Sequence, residues 1–478
     1  MTGLLGVAAG AEPRRALVLA GGGMRVAWQA GVVRALADAG LSFGHVDGTS
    51  GGTFTTGMLL SGLEPAEIVR RWSALDVKEF SALLPWREFV RGPAQWPALG
   101  DASGVRDHVL PHLGIDVAEV RSATARTGAV GTVNVCDFAT KTCLAVPNDE
   151  IDLDVLVAAV SLPMLMPAVR TRGRILTDAV WIKDANVLEA VRRGATEVWL
   201  VWCIGNTERY GDGPFEQYVH MIEMSANGGL QAELEVVADI NRRRLGGEPV
   251  HGTTTPVVLH VVKPEVPLPL DPDFYAGRIS ADTLIDMGHR DAHRYLSGME
   301  AAGVGLDDRA TAMTDPPLGV RTHERLSGQL AGLGRVTVEL VAEIRDVAAF
   351  RADPSRQVPV VGHVDCTDGS RWHATGGGFS VGADSATYEL DLPADAPVRS
   401  LSLRRHFAGV LRLPHALRTL SVVGPGGAAL GAVHAGIDDL ARAAVSLEPT
   451  GAHDLPDRAR AVEEVAKLVL RAAHRSHV

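Results

Sequence analysis

Cysteine is scarce in this chain, with four among 478 residues. None of the four forms a C-x-x-C pair, and their density is far below that of a disulfide-stabilised fold, so we expect a reducing compartment. The same scarcity argues against a zinc site, and no metal is predicted. The cysteines are Cys136, Cys143, Cys203 and Cys366.

Basic residues are fewer than acidic residues, so the formal net charge is −11. No Lys/Arg-rich run occurs. A chain this acidic is repelled by phosphate backbones, which excludes nucleic acid as an expected partner. A polybasic membrane anchor is excluded for the same reason. Any peripheral contact with a membrane is therefore expected to come from apolar surface.

Long apolar runs are missing. The longest candidate, Val155–Val169, is too short for a membrane helix and contains Pro163 and Pro167. The apolar stretch Gly3–Ala11 has no basic residue before it, and arginines come only after it, which is the wrong order for a signal peptide. We therefore expect a cytoplasmic protein that touches a membrane at most peripherally.

The overall composition is that of a globular protein, and the length of the chain indicates two domains. Hydrophobic residues make up 46% and charged residues 22% of the chain, close to the soluble average. The length exceeds that of one ordinary domain. Up to about residue 300, short apolar runs alternate with helical patterns, which predicts an α/β fold with a mostly parallel central sheet. The clearest elements are a strand at Ala16–Ala20, a helix at Val26–Ala39, a helix near Gly51–Gly62 and a hairpin at Thr132–Val146.

The sequence pattern changes after about residue 320. Arg335–Ala348 and Ser380–Leu392 have the alternation of strands, and glycines punctuate the segment. We predict an α/β domain at residues 1–315, a smaller β-rich accessory domain at 321–450, and a C-terminal helix within 455–478. The role of the accessory domain and the oligomeric state are not encoded in any motif.

A possible nucleophile lies in Gly48-Thr49-Ser50-Gly51-Gly52, which matches G-x-S-x-G between a predicted strand and a predicted helix. A serine in such a sharp turn holds strained backbone angles, so its neighbours must be glycine or very small. The following helix N-terminus favours developing negative charge. Glycine-rich turns with a serine occur in many folds, so the motif needs further support.

A second glycine-rich turn, Gly21-Gly22-Gly23-Met24-Arg25, directly follows the first predicted strand. Consecutive glycines leave backbone N–H groups unobstructed, and these donors could hold an oxyanion with Arg25 adding positive charge. The competing interpretation is a nucleotide-binding turn. It is disfavoured because the sixth position of G-x-G-x-x-G is Val26 and no G-x-x-x-x-G-K-[ST] occurs.

The serine also needs a base, because a free hydroxyl is a weak nucleophile. His45 precedes Ser50 by five residues, and His289 and His293 are four apart on a predicted helix. Without a third ligand, that histidine pair is more typical of a solvated helix face than of a metal site. A carboxylate can serve instead if burial raises its pKa toward the working range.

Together the G-G-G-x-R loop, the G-x-S-x-G elbow about 25 residues later and an aspartate on a later strand resemble the patatin-like phospholipase family. The resemblance covers residues 14–300. Ala159–Pro163 resembles the family's A-x-S-x-x-x-P region with the proline shifted, and Thr177-Asp178-Ala179-Val180 stands where its D-G-G/A motif belongs. Val26 and Ala179 depart from the pattern, which usually has glycine at both positions.

The resemblance implies a three-layer α/β domain that hydrolyses fatty-acyl esters with a Ser/Asp dyad and no histidine. Ser50 would be the nucleophile and Asp178 the base, with Gly21, Gly22, Gly23 and Arg25 forming the oxyanion loop. Asp184 is the fallback carboxylate, expected to be a solvated loop acid. The implied partner is a lipid or acyl-ester substrate, without metal or organic cofactor. Two alternatives stay open, namely a catalytically idle lipid-binding protein and an acyltransferase.

Overall fold

The computed structural model describes residues 4–6, 14–75, 82–83, 98, 100–204, 210, 213–265, 267–268, 280–313, 317–353, 355, 357–382, 385–406, 418–436, 438–439, 448–450, 456, 459–465 and 467. The chain forms two compact units, Met1–Thr314 and Asp315–Val478. Each unit contains a large sheet of its own. None of the described helices combines the length and the apolar character needed to cross a membrane.

The first unit is built on an eight-stranded sheet, and two short strands pair apart from it. Its strands are β1 (Arg15–Leu19), β2 (His45–Thr49), β3 (Ala82–Leu83), β4 (Gly100–Asp101), β5 (Val130–Asp137), β6 (Thr142–Pro147), β7 (Val169–Thr171), β8 (Arg174–Asp178), β9 (Glu197–Val201) and β10 (Val258–Val262). Its main helices are α1 (Ala27–Asp38), α2 (Gly52–Leu60), α3 (Pro65–Ala74), α4 (Val117–Thr127), α5 (Leu153–Ala159), α6 (Val187–Arg192), α7 (Pro214–Leu245) and α8 (Ala281–Gly298).

The large sheet is mixed. Strands β10, β9, β1, β2 and β5 run parallel in that order, whereas β6, β8 and β7 are joined by antiparallel pairing. The α/β class predicted from the sequence is therefore confirmed, but the sheet contains more antiparallel pairing than a mostly parallel sheet implies. The additional strands come from the predicted hairpin, β5–β6, and from the β7–β8 hairpin that carries Asp178.

Helices cover both faces of this sheet, because its strands are apolar on both sides. Ala16 and Val18 of β1 belong to a core that includes α6 and α7 residues such as Val187 and Leu234. On the other face, Trp199 of β9 lies against Tyr295 of α8, with ring centroids 6.0 Å apart. Buried on both faces, such strands read as continuous apolar runs, which is why they could be predicted.

The second unit is an antiparallel barrel. Its strands are β11 (Gly319–Leu330), β12 (Gly334–Ile344), β13 (Gln357–Cys366), β14 (Arg371–His373), β15 (Gly376–Val381), β16 (Ser385–Asp391), β17 (Ser400–His406), β18 (Thr419–Val423), β19 (Ala429–His434) and β20 (Glu448–Thr450), with a short helix α9 (Val347–Ala352). All but β14 and β20 form a closed ring, because consecutive strands pair and β19 returns to β11.

One sequence prediction in this unit is modified, and another is only partly covered by the described residues. Ser380–Leu392 was expected to be one strand, but a turn at Gly382 divides it between β15 and β16. Most of the predicted terminal helix lies outside the described residues. Its described part, 459–465, is helical, and Ala461 and Val465 are buried in the core of the unit.

Candidate active site

Ser50 stands in a strained turn between β2 and α2. Its φ is 50°, in the left-handed region that a residue with a Cβ rarely adopts. The turn is held by the start of the helix, where the Thr53 N–H donates to the Ser50 carbonyl at 2.9 Å. The side chain is 9% exposed. This is the geometry expected of a nucleophile elbow.

The glycines around Ser50 are required by close packing. A Cβ on Gly52 would collide with the Leu19 carbonyl and lie 2.7 Å from the Ala20 carbonyl at the end of β1. A Cβ on Gly51 would lie 2.8 Å from the Gly23 carbonyl. Backbone carbonyls cannot rotate away as side chains do. The elbow therefore packs directly against β1 and the glycine loop that follows it.

The glycine loop, which is the segment Gly21–Arg25 described above as the oxyanion loop, places backbone donors beside Ser50. Gly22 and Gly23 have φ values of 156° and 58°. Within the described part of the chain, their amides donate no hydrogen bond. A Cβ on Gly21 would lie 2.8 Å from the Ser50 Cβ, so this loop and the nucleophile elbow are in direct contact. Unobstructed amides near a serine hydroxyl are suited to an oxyanion.

Three side chains fix the loop. The Arg25 Nε donates to the Gly22 carbonyl at 3.0 Å, and the arginine is only 8% exposed. The Cys203 Sγ donates to the Gly21 carbonyl at 2.9 Å, and Gln29 Nε2 donates to the Ala20 carbonyl at 2.6 Å. Neither of these two roles was predicted from the sequence: Cys203 lies 182 positions from Gly21, and the contact of Gln29 with Ala20 depends on the helix turning this side chain inward. A polar residue facing the core on an otherwise apolar helix was the available signal for Gln29.

Asp178 ends β8 in a fully enclosed position, 1% exposed. Its N–H donates to the Ser161 carbonyl at 3.1 Å, and the Thr177 hydroxyl donates to the same carbonyl at 2.6 Å. Ser161 belongs to the segment predicted to precede the aspartate strand. The Asp178 Oδ1 accepts the Val180 N–H at 2.9 Å, so its other oxygen is the one available to a ligand or a neighbouring hydroxyl.

Strand register brings Ser50 and Asp178 to the same level of the sheet. On one side of β5, Thr49 is paired with Asn134, so Ser50 follows at the level of Val135. On the other side, Val135 is paired with Asp178. The two candidate residues therefore flank one strand.

Burial raises the pKa of Asp178 to about 7, and hydrogen bonding to Ser50 and to the Val180 N–H opposes this rise. The Asp178 Oδ2 nevertheless accepts no well-formed hydrogen bond from the described residues. The Ser50–Asp178 contact is thus looser than an ideal hydrogen bond, which is common in enzymes without a bound substrate. A carboxyl with a pKa near neutrality can exchange a proton at physiological pH.

Asp184 is not the solvated loop acid that the sequence suggested. Its side chain is fully buried, and Oδ1 accepts the Gly21 N–H at 3.1 Å. The expectation failed because the partner is 163 positions away in the chain, so sequence position alone gave no sign of burial. Asp184 adjoins the glycine loop and interacts electrostatically with Asp178.

The histidines do not join this site. Burial, helped by the charge of Arg193, lowers the pKa of His45 to about 3, and its Nε2 lies 2.9 Å from the Thr132 hydroxyl. His289 is 1% exposed, so the His289/His293 pair is not a solvated helix face as expected. Its Nε2 lies 3.7 Å from Asp38 Oδ2, and α8 packs this residue inward.

A buried polar network beneath the elbow was also missed. Asp47 is fully buried and accepts hydrogen bonds from the Thr132 hydroxyl at 2.5 Å and from Asn134 Nδ2 at 2.6 Å. Asn134 Nδ2 also lies 2.9 Å from Thr49 Oγ1, next to Ser50. Burial raises the pKa of Asp47 to about 7, against the effect of these two donors. Charged and amide residues inside apolar strands were the sequence signal.

The two departures from the family pattern are accommodated in the packing. Val26 lies against the elbow, because a Cβ on Gly51 would stand 2.6 Å from its Cγ1. Ala179 is fully buried, and its carbonyl accepts the N–H groups of Ile182 and Lys183, each at 2.8 Å. That turn brings Asp184 back toward Gly21.

Comparisons with solved structures give only distant similarity. VipD from Legionella pneumophila has 13% identity and a TM-score of 0.32, over 61% of this chain and 69% of that chain. ExoU in complex with SpcU, from the type III secretion system of Pseudomonas aeruginosa, has 13% identity and a TM-score of 0.21, over 63% and 76%. No curated protein sequence matches this chain.

The family comparison is specific. Residues 17–191 match the family model described as patatin-like phospholipase. The matched segment contains the glycine loop, the elbow and Asp178. The resemblance to the patatin-like phospholipases predicted from the motifs is therefore confirmed for this segment of the chain.

Proposed function

We propose that this protein is a serine acyl-hydrolase that cleaves fatty-acyl esters of lipids through a Ser50/Asp178 dyad. The observation that carries the proposal is the strained Ser50 at the same sheet level as a buried carboxyl whose pKa is about 7. The family match, whose description is that of a phospholipase, supports a lipid substrate.

The chemistry proceeds by acyl transfer. The Ser50 Oγ attacks the ester carbonyl and forms a C–O bond while Asp178 accepts the hydroxyl proton. The unpaired amides of Gly22 and Gly23 in the adjoining glycine loop would hold the tetrahedral oxyanion, and Arg25 of the same loop would add positive charge. The ester C–O bond then breaks, and the proton on Asp178 passes to the leaving alcohol. A water molecule, deprotonated by the same carboxylate, then attacks the acyl carbonyl; the bond between Ser50 Oγ and the acyl group breaks, the fatty acid leaves, and the proton on Asp178 returns to Ser50 Oγ.

Activity of two dyad variants tests this proposal. Ser50→Ala and Asp178→Asn should each abolish hydrolysis of a p-nitrophenyl acyl ester, and Ser50→Ala should also abolish labelling by a fluorophosphonate probe. Ser122→Ala and Asp149→Asn are matched controls, because both residues are exposed on the same unit. Full activity in either dyad variant would refute the dyad.

The same assays separate the two alternatives. A catalytically idle lipid-binding protein would leave Ser50 unlabelled by the probe although it bound lipid vesicles. An acyltransferase would form a new ester when an alcohol is added as acceptor, whereas a hydrolase would release free fatty acid. Product analysis by mass spectrometry distinguishes these outcomes.

A further inference from the structure

Asp184 contacts Gly21 of the glycine loop, and the proposed mechanism gives this carboxyl no role. Its Oδ1 accepts the Gly21 N–H at 3.1 Å, and its backbone carbonyl accepts the same N–H at 3.3 Å. Gly21 is packed closely between Asp184 and Ser50, since a Cβ on Gly21 would collide with Asp184 Oδ1 and lie 2.8 Å from the Ser50 Cβ. One glycine therefore separates this carboxyl from the proposed nucleophile.

The second carboxyl oxygen is also enclosed. Asp184 is fully buried, and its Oδ2 accepts no hydrogen bond from the residues that the structure describes. An ionised carboxylate in this position would leave charge uncompensated inside the protein, which is costly. A neutral carboxylic acid satisfies the Gly21 N–H through its carbonyl oxygen and carries no such charge.

The surrounding charges agree with a neutral form. The titratable groups that face Asp184 are Asp178 on β8, Arg25 in the glycine loop and Cys203 after β9. Burial, followed by the negative charge of Asp178, raises the pKa of Asp184 well above its usual range, while the Gly21 N–H and Arg25 oppose the rise. The adjacent Lys183 is engaged with Glu233 of α7.

We propose that Asp184 is a positioning residue that works as an uncharged carboxylic acid and holds Gly21, and with it the oxyanion loop, against Ser50. The proposal rests on the proposed function, because it assigns a role in that same site. It requires two buried aspartates, six residues apart, to work in opposite forms. Asp178 must lose its proton to act as base, whereas Asp184 must keep its proton.

The same substitution at the two aspartates distinguishes these roles. An asparagine resembles a neutral carboxylic acid in shape and still accepts a hydrogen bond through its oxygen. Asp184→Asn should therefore retain kcat within about threefold, because the Gly21 contact survives. Asp184→Ala should lower kcat about tenfold with little change in KM, since the loss of loop support affects mainly the transition state.

The pH profile provides a second readout. If Asp184 is already neutral, its replacement by asparagine leaves the charge around Asp178 unchanged, and the acid limb of kcat/KM should keep its midpoint. If Asp184 were ionised, Asp184→Asn would remove a neighbouring negative charge and shift that limb to lower pH. A shift of this kind, or a loss of activity as complete as in Asp178→Asn, would overturn the proposal.

Fluorophosphonate labelling separates this result from a failure of the proposed function. Wild-type labelling that disappears in Ser50→Ala establishes the nucleophile independently of Asp184. If labelling persists in Ser50→Ala, the proposed function itself has failed. If it disappears in Ser50→Ala and is equally lost in Asp184→Asn, only the assignment of Asp184 is wrong. Because Asp184→Ala could disturb folding, circular dichroism and the Asp184→Asn variant keep the test decisive.

Discussion

Asn186 Nδ2 donates to Asn134 Oδ1 at 2.8 Å in the buried interior of the first unit. Asn186 lies in the loop that follows Asp178, and Asn134 lies on β5 beside the nucleophile elbow. The bond therefore links the loop that follows Asp178 to the strand that lies beside the nucleophile elbow. Asn134 also donates to Asp47 and Thr49, which makes it the centre of this network.

Replacing Asn134 should weaken both stability and activity. Asn134→Ala removes the Asn134 oxygen that accepts from Asn186 and one of the two donors to Asp47, which keeps only the Thr132 hydroxyl, and the free energy of unfolding should fall by about 2 kcal/mol. Esterase activity should fall about tenfold, because Thr49 next to Ser50 loses its donor. Urea unfolding and ester hydrolysis measure the two effects. Thr142→Ala on the same hairpin is exposed and should change neither; a wild-type result for Asn134→Ala would contradict this role.

The pH dependence should report Asp178. Its pKa is raised to about 7 by burial, and only the ionised carboxylate can accept the Ser50 proton. Activity should therefore be high above this pH and decline as the carboxylate becomes protonated below it, which kcat/KM measured across pH would show.

His45→Gln is the matched variant for this pH profile. His45 is buried, and its pKa is lowered to about 3, so it stays neutral across the working range. Gln can replace the Nε2 contact with Thr132. The midpoint should stay at the wild-type value. A large displacement would mean that a histidine, and not Asp178, sets the acid limb.

Two glycine substitutions should have opposite effects. Gly52→Ala directs a Cβ into the carbonyls of Leu19 and Ala20, so it should abolish activity and lower the melting temperature. Gly228→Ala lies on α7 with open space at the Cβ position and should stabilise the helix by about 0.5–1 kcal/mol. Thermal unfolding and ester hydrolysis test both variants. Equal behaviour of the two would show that packing at the elbow does not restrict residue 52.

Local patterns were sufficient to predict the part of the site that depends on backbone shape. The glycines at 21–23 and 51–52 and the serine between strand and helix encode turns, and turns are determined by adjacent residues. Asp178 was predicted only because the family motif fixes its register. The structure then placed it across β5 from Ser50.

The burial of Asp184 and the Asp47–Asn134 network could not be predicted in the same way. Each depends on partners far away in the chain, such as Gly21 for Asp184 and Asp47 for Asn134. Alternation indicated the strands of the second unit, but the closure of the ring depends on pairing between β11 and β19, which periodicity does not encode. Long-range register is therefore the information that only the structure supplied.

A buried ion pair in the barrel provides the last test. Arg405 Nη1 lies 3.0 Å from Glu324 Oε1, and the Tyr388 hydroxyl donates to the same oxygen at 2.6 Å. Burial lowers the pKa of Arg405, but the Glu324 carboxylate outweighs this effect and holds that pKa above its ordinary value. The Arg405 guanidinium and the Tyr388 hydroxyl hold the pKa of Glu324 below its ordinary value. The pair thus stays ionised at every pH at which the protein is expected to work.

Replacing one member of this ion pair should lower the free energy of unfolding more than replacing both members. Arg405→Met leaves the Glu324 charge buried without its cation and should lower the free energy of unfolding by about 3–5 kcal/mol. Arg405→Met combined with Glu324→Leu removes both charges and should recover most of that loss. Calorimetry of the full chain measures both, with Arg404→Met as the control, because Arg404 is exposed on the same strand. A double variant no more stable than Arg405→Met would show that the barrel requires the charges themselves.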